Sequence, residues 1–302
     1  MISRPYSEAA DLRLMQQALI RGYDSTETRI GDLAWRARYH THYELALEIR
    51  LWFDGSDLAA WTWLRTRGGF DTYVVPERRD EERLWTELLD SVDPIVNHRL
   101  RAGDELEEIY TWFTNDDLRM GPRLEARGFV RSDGRGGNVL TADLANLPEP
   151  VPVPPGGYKL GCMAGDADVR RRVESHRAAF APSDLTVPIY ERVRRIWPYR
   201  PELDRIVRTS DGEIAACCIA WLDETNGAGL LEPVSTHPAH QNRGLARLVV
   251  GDALRVLREA GATVAQVGTS GPAARAAYTA AGFRPWKREI TFRKRVRPFE
   301  DT

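Results

Sequence analysis

The chain has 302 residues, 42% of them hydrophobic and 28% charged, which is ordinary for a globular protein and long enough for two domains. Its net charge of -2 gives no general electrostatic case for binding nucleic acid or a membrane surface. No apolar run approaches the roughly 20 residues of a transmembrane helix, and the N-terminus lacks the apolar core of a signal peptide. We therefore expect a cytoplasmic protein.

The first half of the chain predicts three strands, a helix, and a short helix that ends in a Gly-Phe pair. These elements lie at 47–53, 58–64, 70–75, 81–92 and 124–129. The first two strands flank Asp54-Gly55, and an Asp-Gly pair between such runs is a strong hairpin signal. Pro76 ends the third strand.

The stretch 147–157 divides the chain into two nearly equal halves. It holds five prolines in eleven residues, and proline both removes a backbone donor and fixes φ. We predict a linker here, between a domain at 1–146 and a domain at 158–302.

The second half repeats the order of elements found in the first. Its three strands, its helix and its short helix are predicted at 203–210, 214–222, 230–236, 244–260 and 278–283. Asp211-Gly212 marks the hairpin, and Pro238 follows the third strand. Two copies of one order indicate the duplication of a single α/β unit.

The turn between the third strand and the helix of the second half has the pattern Gln241-x-x-Gly244-x-Ala246. A helix N-terminus presents unpaired N–H groups and the positive end of the helix dipole, which makes it an anion site. Gly244 and Ala246 are small, so backbone can approach a phosphate closely there. Gln241, Asn242 and Arg243 add donors or charge suited to a pyrophosphate.

This pattern resembles motif A of the GNAT superfamily of N-acetyltransferases, and Ala274-x-x-x-Tyr278-x-x-x-Gly282-Phe283 resembles its motif B. The resemblance covers nearly all of the second half. It implies an α/β (α+β) fold of two tandem GNAT domains, each a mixed, mostly antiparallel central sheet flanked by helices. The overall plan is similar to that of mycothiol synthase-like enzymes, which are tandem GNAT proteins with one degenerate half.

The resemblance also implies a cofactor site and a catalytic acid. Acetyl-CoA is the expected cosubstrate, with the backbone of the third strand bonding the pantetheine arm and the turn amides holding the pyrophosphate. Tyr278 matches the tyrosine that protonates the departing thiolate, whereas Gly271 replaces the asparagine that commonly begins motif B. The residues expected at the cofactor are Val234, Ser235, Thr236, Gln241, Asn242, Arg243, Gly244, Leu245, Ala246 and Arg247.

The implied reaction is attack by a substrate amine on the acetyl thioester. Deprotonating an alkyl ammonium of pKa ~10.4 at pH 7 costs about 4 to 5 kcal/mol, so a base or a water chain must accept the proton. Glu232 is the first candidate, because strand alternation places Glu232, Val234 and Thr236 on one face. The alternative is that Glu232 only contacts the amine or pairs with an arginine.

The first half is predicted to have lost its cofactor. Alignment of the two prolines that follow the third strands puts residues 79–82 opposite 241–244. Three consecutive carboxylates then occupy the turn and Glu82 replaces the key glycine, so the anion site is filled by the protein's own charge. Alignment of the Gly-Phe pairs puts Leu124 opposite Tyr278, so the acid is missing too.

Several other side chains have structural interpretations. Cys217 and Cys218 are adjacent in an apolar run and are expected in the core, and no cluster has the spacing of a metal site. His237 and His240 are typical of surface or capping residues. His176 lies on a predicted helix where GNAT proteins form the acceptor site, but a histidine on a helix face is a weak signal.

The basic segment 287–297 is interpreted as alternating charge on an edge strand rather than a nucleic-acid patch. Six of the nine tryptophans lie in the first half, and two interpretations stay open. They form an aromatic core and the seam between the domains, or some of them wall the acceptor pocket. They are Trp35, Trp52, Trp61, Trp63, Trp85 and Trp112.

The leading functional hypothesis is an acetyl-CoA-dependent N-acetyltransferase that acts on a small-molecule amine, with no nucleic-acid or membrane partner. One alternative is a non-catalytic acyl-CoA-binding module that senses the cofactor or docks a partner. Another is transfer of a longer acyl group, or transfer to a peptide amine. Only an enzyme should depend on Tyr278 and Glu232 for turnover, and the preferred acyl length distinguishes the last case.

Overall fold

A computed structural model describes residues 1–38, 42–132, 136–148, 154–163 and 165–296 of the chain. In the first half the elements are β1 (Ile2–Pro5), α1 (Ala9–Arg21), α2 (Ile30–Ala37), α3 (His42–Glu48), β2 (Ile49–Asp54), β3 (Asp57–Leu64), β4 (Phe70–Val74), α4 (Glu82–Asp90), α5 (Val92–Arg101), β5 (Glu108–Thr114), α6 (Met120–Glu125), β6 (Val130–Ser132) and β7 (Asn138–Asp143). In the second half they are β8 (Tyr158–Cys162), α7 (Val169–Ala179), α8 (Val187–Val193), β9 (Asp204–Thr209), β10 (Ile214–Asp223), β11 (Ala228–Thr236), α9 (Leu245–Glu259), β12 (Val264–Thr269), α10 (Pro272–Ala280) and β13 (Arg284–Arg295). Among the described residues, no helix has both the length and the apolar character needed to cross a bilayer.

Both predicted hairpins are confirmed. Strands β2 and β3 pair antiparallel around Gly55, and β9 and β10 pair antiparallel around Gly212. Both glycines have positive φ, 60° and 90°, which explains why an Asp-Gly pair occupies each turn. The third strands, β4 and β11, also form as expected.

The chain folds into two compact units that differ from the boundaries predicted around the linker. Unit 1 contains Met1–Glu27, His40–Gly137 and Lys287–Thr302, and unit 2 contains Thr28–Tyr39 and Asn138–Trp286. Each unit therefore includes a segment from the other half of the sequence. The predicted linker at 147–157 lies partly outside the described residues, at 149–153.

Unit 1 contains an antiparallel sheet of β1, β2, β3 and β4, in that order, and a second set of strands in which β13 pairs with β5 and β6. Gly69, the residue before β4, forms an isolated parallel bridge with Tyr110 of β5. Helices α4 and α5 pack on β3, so their apolar faces supply the core between helix and sheet.

Strand β13 is not the edge strand that its alternating charges predicted. Residues Thr291, Phe292 and Arg293 pair with β5 and also with β6, so this part of the strand has a neighbour on each side. The charge pattern is instead explained by ion pairs at the surface of unit 1. Lys294 lies 3.1 Å from Asp93, for example. Arg297, at the end of the basic segment, lies outside the described residues.

Unit 2 contains a six-stranded sheet in the order β7, β12, β11, β10, β9, β8. All its pairs are antiparallel except β11 with β12. Helix α9 covers one face of this sheet and α7 covers the other. The mixed, mostly antiparallel sheet flanked by helices is the architecture expected from the sequence.

Helix α2 belongs to unit 2 although it lies early in the first half. The Arg29 Nε donates to the Gln266 Oε1 of β12 at 2.6 Å, and this bond is buried. A Cβ at Gly31 would overlap the ring of Trp221 on β10, so the absent side chain lets the helix approach the sheet closely. These contacts hold α2 on the same face of the sheet as α7.

Candidate active site

Strand β11 carries the candidate base and is bulged at that position. Val234 pairs with Cys218 of β10, and Leu231 pairs with Ala220. Between these pairs, two residues of β11, one of which is Glu232, oppose a single residue of β10. Such a bulge interrupts the alternation of side chains along the strand.

The prediction that Glu232, Val234 and Thr236 share one face is therefore wrong. Val234 packs against the core on the α9 side of the sheet. Glu232 instead hydrogen bonds to the carboxyl group of Asp32, which is on helix α2 and hence on the opposite face. The strand-alternation rule fails because a bulge cannot be recognised from periodicity alone.

Strands β11 and β12 diverge beside the bulge. Their last parallel pair is Leu230 with Gln266, yet β11 continues to Thr236 and β12 to Thr269. Within the described residues, the backbone beyond Leu230 on this side has no partner strand. The Thr236 Oγ1 is also buried without a hydrogen-bond partner among the described atoms. This gap is the place where the sequence predicted exposed backbone at Val234, Ser235 and Thr236.

The turn after β11 is braced by side chains. His237 accepts a hydrogen bond from the Ala239 amide at 3.2 Å, which is the capping role expected of it. The Tyr158 hydroxyl lies 3.0 Å from the His240 Nδ1 and accepts from the Arg243 guanidinium at 3.0 Å. Strand β8 therefore positions both His240 and Arg243.

Helix α9 begins at Leu245 with Gly244 as its N-cap. Asn242 and Gly244 both have positive φ, 60° and 75°, and no side chain caps the helix. A Cβ at Gly244 would meet nothing within 4 Å, so the glycine is explained by backbone conformation rather than by crowding within the protein. The first N–H groups of the helix have no hydrogen-bond partner within the helix. They follow directly on residues 241–244, which are exposed.

Tyr278 lies on α10 and is 6% exposed. Its ring meets that of Phe283 edge to face, with the centroids 5.8 Å apart. Burial, and then the nearby Cys218 and Glu232, raise the pKa of Tyr278 above its ordinary value, so the phenol keeps its proton at neutral pH. Gly271, the departure from motif B, is the N-cap of α10 and supplies no side chain.

The carboxyl groups of Asp32 and Glu232 lie together on the α2 side of β11. Burial, followed by the charge of Asp32 and the hydrogen bond to it, raises the pKa of Glu232 well above its ordinary value. Arg36 and Arg38 act in the opposite direction. Asp32 also accepts a hydrogen bond from the Arg29 backbone N–H at 2.6 Å. The Arg36 guanidinium is 3.6 Å from its carboxylate.

Sequence reasoning missed Asp32. The spacing of Arg29 and Asp32 is consistent with the N-terminus of a helix, and that local signal was available. Its partner Glu232 is 200 residues away in the sequence, however, and no local pattern indicates that the two meet.

His176 of α7 lies on the same face of the sheet as this pair and contacts Trp35 of α2, but it does not carry charge. Its ring is 5.6 Å from that of Trp35 and 4.5 Å from that of Phe180. Burial, and then the positive charges of Arg172 and Arg38, lower the pKa of His176 to about 3. His176 is therefore a neutral, aromatic side chain at physiological pH.

A buried ionic network fixes the helices on this face. Asp204 of β9 receives hydrogen bonds from Arg172 of α7 at 3.3 Å and from Tyr190 of α8 at 2.5 Å, and Tyr199 lies 3.2 Å away. The side chains of Arg172 and Asp204 are fully buried. Because a charge left alone at this depth would be costly, the network ties α7, α8 and β9 together.

Cys217 and Cys218 are fully buried, as predicted. The Cys217 Sγ lies 2.9 Å from the Ser235 Oγ, on the same face of the sheet as α7. Across the ranges that the structure describes, no group of three or more histidine, cysteine or acidic residues could hold a metal ion.

The corresponding turn of unit 1 is occupied by ion pairs. Its three carboxylates each pair with an arginine: Asp80 with Arg119, Glu81 with Arg78 at 2.6 Å, and Glu82 with Arg123 at 2.5 Å. No side chain caps α4, although Glu82 lies in its first turn as the sequence indicates. The three carboxylates are turned towards arginines on the surface of unit 1. Leu124 is fully buried in the core of unit 1.

The tryptophans of the first half separate by unit. Trp52, Trp61, Trp63 and Trp85 are buried within unit 1, where Trp61 stacks on Tyr73 with the ring centroids 4.3 Å apart. Trp35 belongs to unit 2, one helical turn after Asp32. It is the tryptophan of this set that remains a candidate for the acceptor side of the site.

The family model of the GNAT acetyltransferases matches residues 172–283, from the buried arginine of α7 to the phenylalanine after α10. No curated protein sequence matches this chain at a significant level. Solved structures share the fold over nearly its whole length, among them three GNAT proteins.

The GCN5-related N-acetyltransferase from Sphaerobacter thermophilus superposes with a TM-score of 0.67 at 19% identity, over 100% of this chain and 97% of that one. A tandem GNAT protein from the clavulanic acid biosynthesis pathway has a TM-score of 0.65 at 14% identity, over 99% of each chain. A GNAT-family acetyltransferase from Colwellia psychrerythraea has a TM-score of 0.59 at 13% identity, over 97% of this chain and 99% of that one.

Residues 172–283 thus belong to the GNAT acetyltransferase family, and the chain has the fold of a tandem GNAT protein. Membership of the family implies acyl transfer from acetyl-CoA.

Proposed function

We propose that the chain is an acetyl-CoA-dependent N-acetyltransferase that acts on the amine of a small-molecule acceptor, with unit 2 as its only reacting unit. The observation that supports the proposal is that one strand, β11, leads to the helix N-terminus and also carries Glu232. The uncapped N-terminus of α9 follows the part of β11 that has left β12, and the bulge of that same strand presents Glu232.

Acetyl-CoA fits the residues present on the α9 side. Its pyrophosphate needs several donors and positive charge, which the free amides at the start of α9 and the side chain of Arg243 supply. Its pantetheine arm needs backbone partners, which the unpaired side of residues 234–236 offers. The Thr236 hydroxyl, buried without a partner among the described atoms, is a further group that such a ligand would satisfy. When bound, acetyl-CoA supplies the thioester.

The side chains of unit 2 account for both proton transfers. The acceptor amine forms a bond to the acetyl carbon while the carbon–sulfur bond breaks. Glu232 takes the proton that the amine loses, and its raised pKa makes it a stronger base than an ordinary carboxylate. Tyr278 gives a proton to the departing sulfur, because burial keeps its phenol protonated.

A small acceptor is supported by what surrounds Glu232. On that face of the sheet the carboxyl is met by α2, and the neighbouring helices α7 and α8 pack against α2 and each other. The aromatic rings of Trp35, His176 and Phe180 lie there. Aromatic rings on the same face as one carboxyl pair suit a compact amine better than an extended chain.

The first test is a calorimetric titration of acetyl-CoA into the wild type, Gly244→Glu and the matched reverse change Glu82→Gly. We expect one site per chain, lost in Gly244→Glu because a carboxylate there repels the pyrophosphate and opposes the left-handed backbone. Glu82→Gly should leave the binding unchanged. A screen of amines with the wild type, followed by mass spectrometry of the products, then identifies the acceptor.

The other outcomes are decisive as well. Two sites, or binding that survives Gly244→Glu, would show that unit 1 binds the cosubstrate. Binding without turnover on any amine would favour a non-catalytic acyl-CoA-binding module. No binding at all would refute the proposed function.

A further inference from the structure

The carboxyl pair of Asp32 and Glu232 is unusual because its members come from different halves of the sequence. Asp32 lies on α2 of the first half, and Glu232 lies at the bulge of β11. The two carboxyls hydrogen bond to each other. Two carboxylates within hydrogen-bonding distance cannot both be ionised without a large cost in free energy. The pair therefore holds one proton and one negative charge.

The position of Asp32 is built into the fold rather than accidental. Arg29 anchors the start of α2 to Gln266, and Gly31 lets the helix lie against Trp221. Asp32 follows directly and is nearly buried, with 12% of its side chain exposed. Because α2 is held this close to the sheet, the Asp32 carboxyl faces the bulge of β11.

The charges around the pair balance only in part. Arg36 is 3.6 Å from Asp32, and Arg38 lies over the ring of Trp35 with its carbon 3.7 Å from the centroid. On α10, the neutral phenol of Tyr278 is close enough to Glu232 for the charge of Glu232 to raise the pKa of Tyr278. From α7, His176 is neutral and adds no charge.

We propose that Asp32 and Glu232 together form the binding point for the ammonium group of the acceptor. Asp32 forms the ion pair that selects a cationic amine. The bound ammonium favours the carboxylate form of Glu232, so the proton that the pair holds is released to solvent, and Glu232 then takes the proton that the amine loses when it reacts. The acceptor class is therefore a small primary ammonium compound, and a neutral hydroxyl analogue is rejected. This assignment rests on the proposed function and goes beyond it, since it makes a helix of the first half part of the catalytic unit.

Loss of the Asp32 charge tests the assignment directly. In Asp32→Asn the amide oxygen still accepts the hydrogen bond from the Arg29 backbone, so α2 keeps its N-terminus. The repulsion that opposes ionisation of Glu232 is removed, however. The pKa of Glu232 should therefore fall by about one pH unit.

The measurement is a carbon-13 NMR titration of full-length protein labelled at the glutamate carboxyl, with Glu232→Gln to assign the resonance. Asp143→Asn is the matched control, because Asp143 is also in unit 2 and also accepts a backbone N–H near a helical turn. It should leave the Glu232 titration unchanged. An unchanged titration midpoint in Asp32→Asn would overturn the proposal and leave Asp32 with a purely structural role.

Ligand selectivity supplies a second readout. Benzylammonium chloride, compared with benzyl alcohol at constant ionic strength, should lower the titration midpoint of Glu232, because a bound cation favours the carboxylate. This effect should be several-fold weaker in Asp32→Asn. Equal responses to the two compounds, or no response to benzylammonium, would overturn the proposal. Acetyl-CoA titration of the same samples keeps the two failures apart, since the proposed function depends on Gly244 and not on Asp32.

Discussion

The two strand-to-helix turns of this protein connect the same kinds of elements but carry different side chains. In unit 1 the turn connects β4 to α4, and in unit 2 it connects β11 to α9. Both turns begin with a short helical turn whose first residue is proline, Pro76 or Pro238. In unit 2 the helix N-terminus is left free for an anion, whereas in unit 1 three acids and their arginines occupy that surface.

The strands that lead into the turns differ as well. Strand β4 pairs with β3 in regular register from Ala60 to Leu64, but β11 is bulged against β10. Alignment of the two prolines puts Phe70, a fully buried core residue, opposite Glu232. Unit 1 therefore lacks both the bulge and the carboxyl group that we propose as the base. A shared fold is retained by its core, whereas a reacting site is lost by a few local changes.

The largest effect on this comparison is expected from Glu232→Gln. The change keeps the shape of the side chain but removes its ability to accept a proton, so turnover should fall by about 10²- to 10⁴-fold. Acetyl-CoA affinity should remain that of the wild type, because the carboxyl lies on the face of the sheet opposite α9. Steady-state kinetics and calorimetry measure the two quantities. Glu259→Gln, at the end of α9, is the control, and unchanged turnover in Glu232→Gln would contradict the assignment of the base.

Tyr278→Phe should have the next largest effect, a fall in turnover of about 10- to 100-fold. The phenol must be protonated to act, and its raised pKa means that this form persists as the pH rises. Wild-type activity that depends on Tyr278 should therefore be lost only above the ordinary tyrosine range, near pH ~10. A pH–rate profile from neutral to alkaline pH checks this. An alkaline loss centred well below that range would mean that another group titrates.

Gly244→Ala distinguishes the effect of backbone conformation at the turn of unit 2 from the effect of an added charge. Because φ at Gly244 is 75°, alanine should cost about 1 to 2 kcal/mol in the free energy of unfolding. Acetyl-CoA binding should weaken less than in Gly244→Glu, since no charge is added and a Cβ meets nothing nearby. Urea denaturation measures the stability. Gly271→Ala is the matched control, because that glycine has φ -96° and open space around it. Equal losses of stability in the two variants would contradict the conformational argument.

The smallest effect is expected when the three acids of the unit 1 turn are changed to amides, as Asp80→Asn, Glu81→Gln and Glu82→Gln together. Exposed ion pairs contribute little, so the melting temperature should change only slightly. No acetyl-CoA site should appear, because β4 has no bulge and the position opposite Gly244 still carries a long side chain. A second binding site in calorimetry would show that charge alone had silenced unit 1.

The sequence alone determined the elements whose causes are local. Both hairpins could be predicted because the Asp-Gly turns need glycines of positive φ, and the start of α9 because its glycine N-cap also needs positive φ. The repeat of element order and the two motifs then indicated the fold and the position of Tyr278. In each case the signal and its structural consequence lie within a few residues of each other.

Only the tertiary structure decided the features that depend on pairing between distant segments. Strand β13 leaves the second half to pair with β5 and β6, and β7 of the first half pairs with β12. The bulge that turns Glu232 towards α2 depends on the register between two strands, which no periodicity records. Asp32 acquires its partner because a helix from the first half packs on the sheet of the second. Local sequence encodes backbone preference, whereas the meeting of two carboxyls 200 residues apart is set by the packing of the whole unit.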